Sequence, residues 1–265
     1  MAYDKELSLA LELAKKAGDI ALKYWQSQNL NINRKADNTE VTQSDKECER
    51  MLREEIAKIF PDDGFLGEEE GESSPKKGQR RWIIDPIDGT FPYIKGLEIF
   101  ATLLALEVDN EIVLGVIHAP ASKETYWAQK GQGAFKNGQK IQVSKCSNLA
   151  NAFMVVGAID RLQRLGYWEI FTQLVSRTYR QKAPGDYMSF GWVFEGKADF
   201  TIETDVKAWD LAPMKIIAQE AGAIYDDLND SDSIYSGSCL ITTPALHKEI
   251  QKLFSQYSAV AKIKT

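Results

Sequence analysis

Apolar residues recur every three or four positions in two long stretches near the start of the chain. The first follows Asp4 and reaches Trp25, and the second opens near Thr42 to Ser44 and reaches Ile59. Such spacing gathers apolar side chains on one face of a helix. Asp4 is a candidate N-cap, and Ser44 to Glu47 fits a capping box. We therefore expect two amphipathic helices, joined by a polar strand or loop from Asn29 to Asn38.

Short apolar runs separated by turn residues follow residue 64 and predict strands. Two of them, Thr102 to Val108 and Ile112 to Ile117, flank a turn and predict an antiparallel hairpin. The segment from Gly67 to Gly78 is polar without periodicity, which predicts an exposed, mobile loop. The other strands expected in this half are Phe65-Leu66, Trp82 to Asp85 and Thr125 to Ala128, with β character continuing to Val143.

Helices and strands alternate more clearly in the second half. The expected strands are Ala152 to Ile159, Ala198 to Glu203, Ile224-Tyr225 and Ser238 to Thr242. The expected helices are Tyr167 to Val175, Met188 to Phe194, Trp209 to Ala221 and one that follows Thr243-Pro244. This alternation indicates layered α/β packing with a mixed sheet in each half. The 265 residues fit one domain (1–265) built from two packed halves, about 1–145 and 146–265.

Composition narrows the possible classes of protein. A formal net charge of -6 argues against a nucleic-acid-binding protein, because phosphate backbones favour a concentrated positive face. No segment predicts a membrane span or a secretory signal. Cys48, Cys146 and Cys239 are too few for a disulfide framework, so we interpret them as packing residues and expect a cytoplasmic protein. His118 is interpreted as packed or capping, and His247 as a surface residue.

Acidic residues lie at the ends of three predicted elements. Asp85 and Asp88 end one strand, Glu68 follows another, and Asp210 opens a helix. Strand ends are where a layered α/β fold gathers ligand-binding side chains. Carboxylates brought together repel one another unless a cation lies between them. Oxygen ligands without a grouped histidine favour Mg²⁺, Mn²⁺ or Ca²⁺ over zinc.

Each acidic feature alone has an ordinary structural interpretation. An Asp-x-x-Asp-Gly-Thr run can be a helix cap with a turn, and a Glu-rich run can be a solvated loop. The combination favours a site, because Pro86 removes a backbone donor, Gly89 permits close approach of a ligand and Thr90 adds a hydroxyl. A helical turn that begins at Gly89 would also present free N–H groups to an anion. Cations beside an anion-binding turn indicate phosphate chemistry.

At these residues the sequence resembles the inositol monophosphatase superfamily of Mg²⁺-dependent, lithium-sensitive phosphatases. The resemblance spans nearly the whole chain and rests on Val41 to Asp45, Gly67 to Glu69, Trp82 to Thr90, Trp209 to Ala212 and Glu220 to Gly222. It implies a layered αβαβα sandwich with mixed sheets, usually a homodimer. It also implies a phosphomonoesterase that hydrolyses a small soluble phosphate ester with metal-activated water.

The resemblance implies the metal ligands residue by residue. Glu68, Asp85 and the Ile87 carbonyl would bind one Mg²⁺, and Asp85, Asp88 and Asp210 would bind a second. A third, weaker ion would use Glu68 and water. Two to three Mg²⁺ per subunit are therefore implied, with Mn²⁺ as an alternative.

The resemblance also implies that Thr90, Asp45 and Glu68 are catalytic. The Thr90 hydroxyl, aided by Asp45, would orient the attacking water, and the Gly89 and Thr90 amides would bind the phosphate. One departure follows these residues, because Phe91-Pro92-Tyr93 stands where family members commonly carry a small or basic residue and then Asn-Phe. It spares the metal ligands but alters the turn beside the substrate.

Pro184 to Tyr187 resembles the histidinol-phosphatase branch of the superfamily. An acidic Asp186 together with Glu203 would pair with a cationic amino-alcohol substrate, which favours histidinol phosphate and a role in histidine biosynthesis. Capping of the following helix is the alternative interpretation of Asp186. Inositol monophosphatase and fructose-1,6-bisphosphatase activities stay open. A regulatory protein that binds metal and phosphate without turnover is the alternative from another class.

Overall fold

The computed structural model describes residues 2–27, 30–35 and 40–261. Its helices are α1 (Asp4–Ser27), α2 (Gln43–Ile59), α3 (Thr90–Ile94), α4 (Ile159–Arg164), α5 (Trp168–Arg177), α6 (Asp186–Phe194), α7 (Ala208–Glu220) and α8 (Pro244–Ala261). Its strands are β1 (Asn33–Arg34), β2 (Glu40–Val41), β3 (Gly64–Gly67), β4 (Gly71–Ser73), β5 (Arg80–Asp88), β6 (Ala101–Val108), β7 (Glu111–Ala119), β8 (Glu124–Gln129), β9 (Gly133–Lys136), β10 (Gln139–Ile141), β11 (Phe153–Val156), β12 (Arg180–Lys182), β13 (Phe200–Thr204), β14 (Ile224–Asp226) and β15 (Ser238–Thr242).

The two helices predicted near the start of the chain are confirmed, but the capping box of the second lies two residues before the predicted Ser44 to Glu47. Its N-cap is Thr42, whose Oγ1 accepts a hydrogen bond from the Ser44 amide at 3.2 Å. The Asp45 carboxylate completes the capping box by accepting a bond from the Thr42 amide at 2.8 Å. Asp45 is thereby fixed in the first turn of α2, where it is fully buried.

The polar segment from Asn29 to Asn38 lies partly outside the described residues. Where it is described, β1 pairs antiparallel with β2, with Asn33 opposite Val41. Residues 28–29 and 36–39 are not described. The short pairing sets the position of Lys35, which directly follows β1.

Strands within residues 64–141 form an eight-stranded sheet in the order β10-β9-β8-β7-β6-β5-β3-β4. The predicted hairpin is confirmed as β6 and β7, and β3 runs parallel to β5. The prediction of a loop throughout Gly67 to Gly78 is wrong, because β4 pairs antiparallel with β3 at the edge of the sheet. All three residues of β4 are exposed, so this edge strand lacks the apolar alternation that would have predicted it.

The strands within residues 153–242 form a five-stranded sheet in the order β12-β11-β13-β15-β14. β11 runs parallel to both of its neighbours, whereas β13 and β14 run antiparallel to β15. The mixed character predicted for each half is therefore confirmed. Three short elements are additional to those predicted from the sequence in this half: a 3₁₀ helix at Leu149–Asn151, α4 and β12.

The layers are held together by cores on both faces of each sheet. In β5, Trp82 and Ile84 face a core shared with α1 and α2, whereas Ile83 faces a core shared with α6 and α7. The second core continues onto the small sheet, whose other face packs against α4, α5 and α8. The order of layers is thus helix, sheet, helix, sheet, helix, and the expected αβαβα fold class is confirmed.

The longest described helices are amphipathic. In α1, Ala10, Leu13 and Ala17 are buried while Glu12 and Lys16 are exposed and paired with each other. α8 likewise buries one face, which packs against the small sheet and α5. None of the described helices is both long enough and apolar enough to cross a membrane.

Candidate functional site

An irregularity in β5 brings Asp85 and Asp88 to one side of the sheet. In a regular strand, residues three apart point to opposite faces. Between these two the register with β6 shifts, since Asp85 lies opposite Leu103 and Asp88 lies opposite Ala101. Three steps along β5 therefore match two steps along β6, which is the signature of a bulge. Both carboxylates then reach the same point.

Asp210 completes a group of three carboxylates from the other half of the chain. It lies in the first turn of α7, where its Oδ2 accepts a hydrogen bond from the Lys207 amide at 2.7 Å. One oxygen each from Asp85, Asp88 and Asp210 lies within 4.8 Å of the other two. The structure thus brings together three of the side chains predicted to bind metal.

Glu68 joins these acids from the turn that follows β3. Glu68 and Asp210 lie close enough to Asp85 for their charges to raise the pKa of its carboxyl. On its other side, Glu68 Oε1 lies 2.6 Å from Lys35 Nζ, which also contacts Glu69 Oε1 at 2.5 Å. Lys35 is a cationic partner that the sequence did not identify, because the contact spans 33 positions.

The electrostatics of this group favour a cation. Burial raises the pKa values of Asp85 and Asp88 well above the usual range, and the neighbouring acids raise them further. Burial also raises the pKa values of Glu68 and Asp210, although Lys35 opposes the effect at Glu68. Carboxyl groups in such contact need a shared proton or a positive charge. Their donor set is entirely oxygen, so it fits a hard divalent cation such as Mg²⁺.

Thr90 and Asp45 lie together beside the acids. The Thr90 hydroxyl is 3.0 Å from the Ile87 carbonyl oxygen and 3.5 Å from Asp45 Oδ1. A hydroxyl has one proton to donate, and the shorter distance assigns it to the Ile87 carbonyl, whose second lone pair remains for a cation. Burial raises the pKa of Asp45 to about 7, and the donors from Thr42 oppose this shift.

Gly89 forms a turn that only glycine can make here. Its φ of 81° lies in the left-handed region, and a Cβ on it would be 2.6 Å from the Ile99 carbonyl oxygen. α3 begins at the next residue, Thr90, whose amide has no acceptor within the helix. The Thr90 amide can therefore donate to an acceptor from outside the helix.

Asp186 borders the same turn. Its carboxyl carbon is 3.3 Å from the position of a Cβ on Gly89. The next amide, that of Tyr187, donates to Asp88 Oδ2 at 2.7 Å and so ties α6 to β5. The N-cap of α6 is Gly185 and no side chain caps the helix, so the capping role considered for Asp186 is absent.

Glu203 lies deeper, on β13, and is 5% exposed. A Cβ on Gly157 would be 2.0 Å from its Oε2, so the carboxylate rests against bare backbone. Burial raises the pKa of Asp186 to about 6 and that of Glu203 to about 8, and the nearby Arg161 guanidinium lowers both. Arg161 is a second cation at the site that the sequence did not reveal.

Glu49 is a buried residue that sequence reasoning missed. Its carboxylate accepts bonds from the Glu69 amide at 2.7 Å and the Glu70 amide at 3.1 Å, and Arg53 lies 2.8 Å from it. It therefore holds the turn that carries Glu68. A signal existed, because Glu49 falls on the buried stripe of α2 with Cys48, where a charged residue needs a partner.

Comparisons with known proteins were made over the whole chain. The model of the inositol monophosphatase family matches residues 2–259. The histidinol-phosphatase of Mycobacterium tuberculosis is 35% identical, with 94% of this chain and 97% of that protein aligned. The histidinol-phosphatase of Chlorobaculum parvum is 37% identical, with coverage of 89% and 91%.

Relatives with other names match a similar share of the chain. The fructose-1,6-bisphosphatase/inositol-1-monophosphatase of Thermotoga maritima is 32% identical, with 94% of this chain and 96% of that protein aligned. The crystal structure of the extragenic suppressor protein SuhB of Bartonella henselae superimposes with a TM-score of 0.89 at 26% identity, covering 95% of this chain and 98% of that one. The names of the matched proteins therefore refer to several different substrates.

The raised pKa values predict a dependence of stability on pH. A carboxyl whose pKa is higher in the folded than in the unfolded state stabilises the fold at low pH, and that contribution is lost as the pH rises through the folded value. In EDTA, we expect the melting temperature to fall as the pH rises from ~5 to ~8, since Asp45 and Glu203 have raised pKa values of about 7 and about 8. Mg²⁺ should reduce this fall. Thermal unfolding at several pH values tests it, and a rise in EDTA that is unaffected by Mg²⁺ would contradict it.

The contacts of Glu49 predict that it supports Glu68, one of the acids predicted to bind metal. Glu49→Gln replaces one acceptor oxygen with an NH₂ group that faces a backbone donor. We expect Mg²⁺ binding, measured by calorimetry, to be ~10–10²-fold weaker, which is the usual effect of replacing a residue that orients a metal-binding side chain. Glu54→Gln, on the exposed face of the same helix, is the matched control. Unchanged Mg²⁺ affinity in Glu49→Gln would refute the supporting role.

Proposed function

The chain belongs to the inositol monophosphatase family, and on that basis we propose that it is a Mg²⁺-dependent phosphatase that hydrolyses histidinol phosphate. Family membership makes it a phosphoric monoester hydrolase that acts on a small phosphate ester. The substrate proposal depends on one observation, the placement of two acids, Asp186 and Glu203, at the end of the site that begins at the Gly89 turn. The histidinol-phosphatase names of two relatives support it.

We propose the same metal ligands as the resemblance implied. Glu68, Asp85 and the Ile87 carbonyl would bind one Mg²⁺, and Asp85, Asp88 and Asp210 a second, with a weaker third beside Glu68. The contacts among these carboxyl groups support the assignment, because they require compensating positive charge. When bound, the ions would supply Lewis-acid chemistry that activates water and offsets the charge of the phosphate.

The residues of the chain would perform the remaining steps by orientation and hydrogen bonding. Thr90 Oγ1, which donates its proton to the Ile87 carbonyl and lies 3.5 Å from Asp45, would orient the attacking water by accepting a hydrogen bond from it. The amides of Gly89 and Thr90 would hold the phosphate, at the left-handed turn that precedes α3. The water would then lie opposite the leaving oxygen, and no covalent bond to the protein is required.

The acids at the far end would select the organic part of the substrate. Histidinol phosphate carries an ammonium group, and a charged pair in a buried position is stronger than one in water. Asp186, beside the turn proposed to bind phosphate, would provide the negative charge, and the ammonium group would lower the raised pKa of the buried Glu203 so that this carboxyl also ionises. The phosphate ester of a short amino alcohol could thus place its phosphate at the Gly89 turn and its ammonium group beside Asp186 and Glu203.

We also propose a cytoplasmic homodimer that acts in histidine biosynthesis, as the resemblance implied. Exposed apolar side chains on and beside α5 support a partner surface. They include Trp168, 43% exposed, and Tyr179, 66% exposed. Burial of such groups between two copies would remove apolar surface from water.

A second phosphatase activity has an observation in its favour. Arg161 lowers the pKa values of Asp186 and Glu203, so its positive charge reaches the substrate end of the site. Such a cation would suit the second phosphate of fructose 1,6-bisphosphate or the hydroxyl groups of an inositol phosphate. A regulatory protein without turnover is less well supported, since all the implied acids and Thr90 are present.

Replacement of Asp88 tests the enzyme proposal. Asp88→Asn keeps the shape of the side chain but removes a charge from the second metal site. We expect phosphate release to fall by at least ~10²-fold, comparable to the loss of one preorganised electrostatic stabiliser. Asp62→Asn, a surface acid paired with Lys77, is the control. Turnover at the wild-type rate in Asp88→Asn, with the fold verified by circular dichroism, would contradict the ligand assignment.

Replacement of Asp186 tests the substrate proposal. The wild type should have its highest kcat/KM with histidinol phosphate, measured beside inositol 1-phosphate and fructose 1,6-bisphosphate. Asp186→Asn should reduce kcat/KM for histidinol phosphate by ~10–10²-fold, the value of one charged hydrogen bond, with little change for the other two. Equal losses on all three substrates would sink the assignment of Asp186 and leave the phosphatase proposal standing.

A further inference from the structure

A second group of metal-binding side chains lies at the edge of the small sheet, where β14 meets α8. Asp226 ends β14, Asp230 lies in the following loop and His247 lies in the first turn of α8. One oxygen or nitrogen atom from each lies within 4.8 Å of the other two. His247 Nε2 is 2.5 Å from Asp226 Oδ2, and its side chain is only 15% exposed. The sequence-based interpretation of His247 as a surface residue is therefore wrong.

Gln251 provides an independent indication at the same place. It is one helical turn beyond His247, on the same face of α8, and is 5% exposed. Its Nε2 contacts the carbonyl of Asp227, the neighbour of Asp226, at 3.5 Å. Within the described part of the chain, its Oε1 accepts no hydrogen bond. A buried oxygen without a donor costs free energy that a cation would offset.

The loop that carries Asp230 is preformed. Asp227 is 3% exposed, and its Oδ1 accepts bonds from the Asn229 amide at 2.8 Å and the Ser231 amide at 2.9 Å. These bonds fix the path of the backbone on both sides of Asp230. The carboxylate of Asp230 is thus held near His247 before any ligand arrives, which lowers the entropic cost of binding.

We propose that Asp226, Asp230 and His247 bind a divalent transition-metal ion of the Zn²⁺ class, with the Gln251 oxygen as a further donor. The chemistry of the donors differs from that of the Asp85 site, since an imidazole nitrogen accompanies two carboxylates. Imidazole favours Zn²⁺, Co²⁺, Ni²⁺ and Cu²⁺, whereas an all-oxygen set suits Mg²⁺. Two carboxylates also match the two positive charges of the ion.

The ion would join α8 to a loop that spans both sheets. Farther along this loop, the Tyr235 hydroxyl donates to Glu107 Oε1 at 2.8 Å and accepts a bond from Arg81 at 2.6 Å. Glu107 and Arg81 lie on β6 and β5 of the large sheet. A metal at Asp226 would therefore fix one end of a loop whose other end contacts the first half of the chain.

A titration of the full-length protein with Zn²⁺ in saturating Mg²⁺ tests the proposal. By calorimetry, the wild type should bind one more Zn²⁺ than His247→Gln, or bind it more than ~10²-fold more tightly, since even a partner of a ligand is worth ~10–10²-fold. Asp232→Asn removes an exposed acid of the same loop that pairs with Lys215, and it should behave as the wild type. Equal Zn²⁺ binding in wild type and His247→Gln would overturn the proposal and leave an ordinary ion pair.

Electron paramagnetic resonance with Cu²⁺ separates this site from the Asp85 site. The chain has two histidines, and the ligands proposed at Asp85 are all oxygen. Nitrogen hyperfine coupling from imidazole should appear in the wild type, Asp232→Asn and His118→Gln, and should vanish in His247→Gln. Coupling that persists in His247→Gln would refute the assignment. If His247→Gln fails to fold by circular dichroism, Asp226→Asn serves instead and should weaken Zn²⁺ binding to the same extent.

Discussion

Repulsion among buried carboxyl groups is the constraint on which the first half of the molecule depends. Asp85 is 2% exposed, and one of its oxygens lies within 4.8 Å of an oxygen of Asp88 and an oxygen of Asp210. Such a group is stable only when each acid is held in place and the charge is offset. The bulge in β5 aligns Asp85 with Asp88, the capping bond from Lys207 fixes Asp210, and Glu49 holds the turn that carries Glu68. Each of these three features is a local backbone structure, and the hydrophobic cores on the two sides of the sheet hold it in position.

The site also joins the two halves of the chain. Asp88 accepts a bond from the Tyr187 amide, and Asp210 comes from α7, which packs on the large sheet. The end proposed to bind phosphate is therefore built by β5 and α3, and the end proposed to contact the rest of the substrate is built by α6 and β13. Asp186 and Arg161 lie on α6 and α4, which are separate from the elements that carry Asp85 and Glu68.

Much of this arrangement was predictable from the sequence, and the rest depends on contacts between distant residues. Periodicity predicted the long helices and the central hairpin, and the resemblance implied the acids that the structure brings together. The bulge could not be inferred, because it requires the register between β5 and β6. Lys35 and Arg161 lie in polar segments whose partners are far along the chain. Glu49 could have been recognised, because a charged residue on a buried stripe needs a partner. His247 was misjudged because its partner Asp226 lies 21 positions earlier on another element.

The most direct test of the central claim is to locate cations among the acids. Crystals of the protein soaked in Mn²⁺, with data collected at a wavelength where manganese scatters anomalously, would show where the ions bind. The account predicts anomalous peaks at coordination distance from the carboxylates of Asp85, Asp88 and Asp210, with a second peak shared by Asp85 and Glu68. Crystals in which these carboxylates lie in contact with no anomalous peak among them, at Mn²⁺ concentrations that saturate binding in solution, would contradict it.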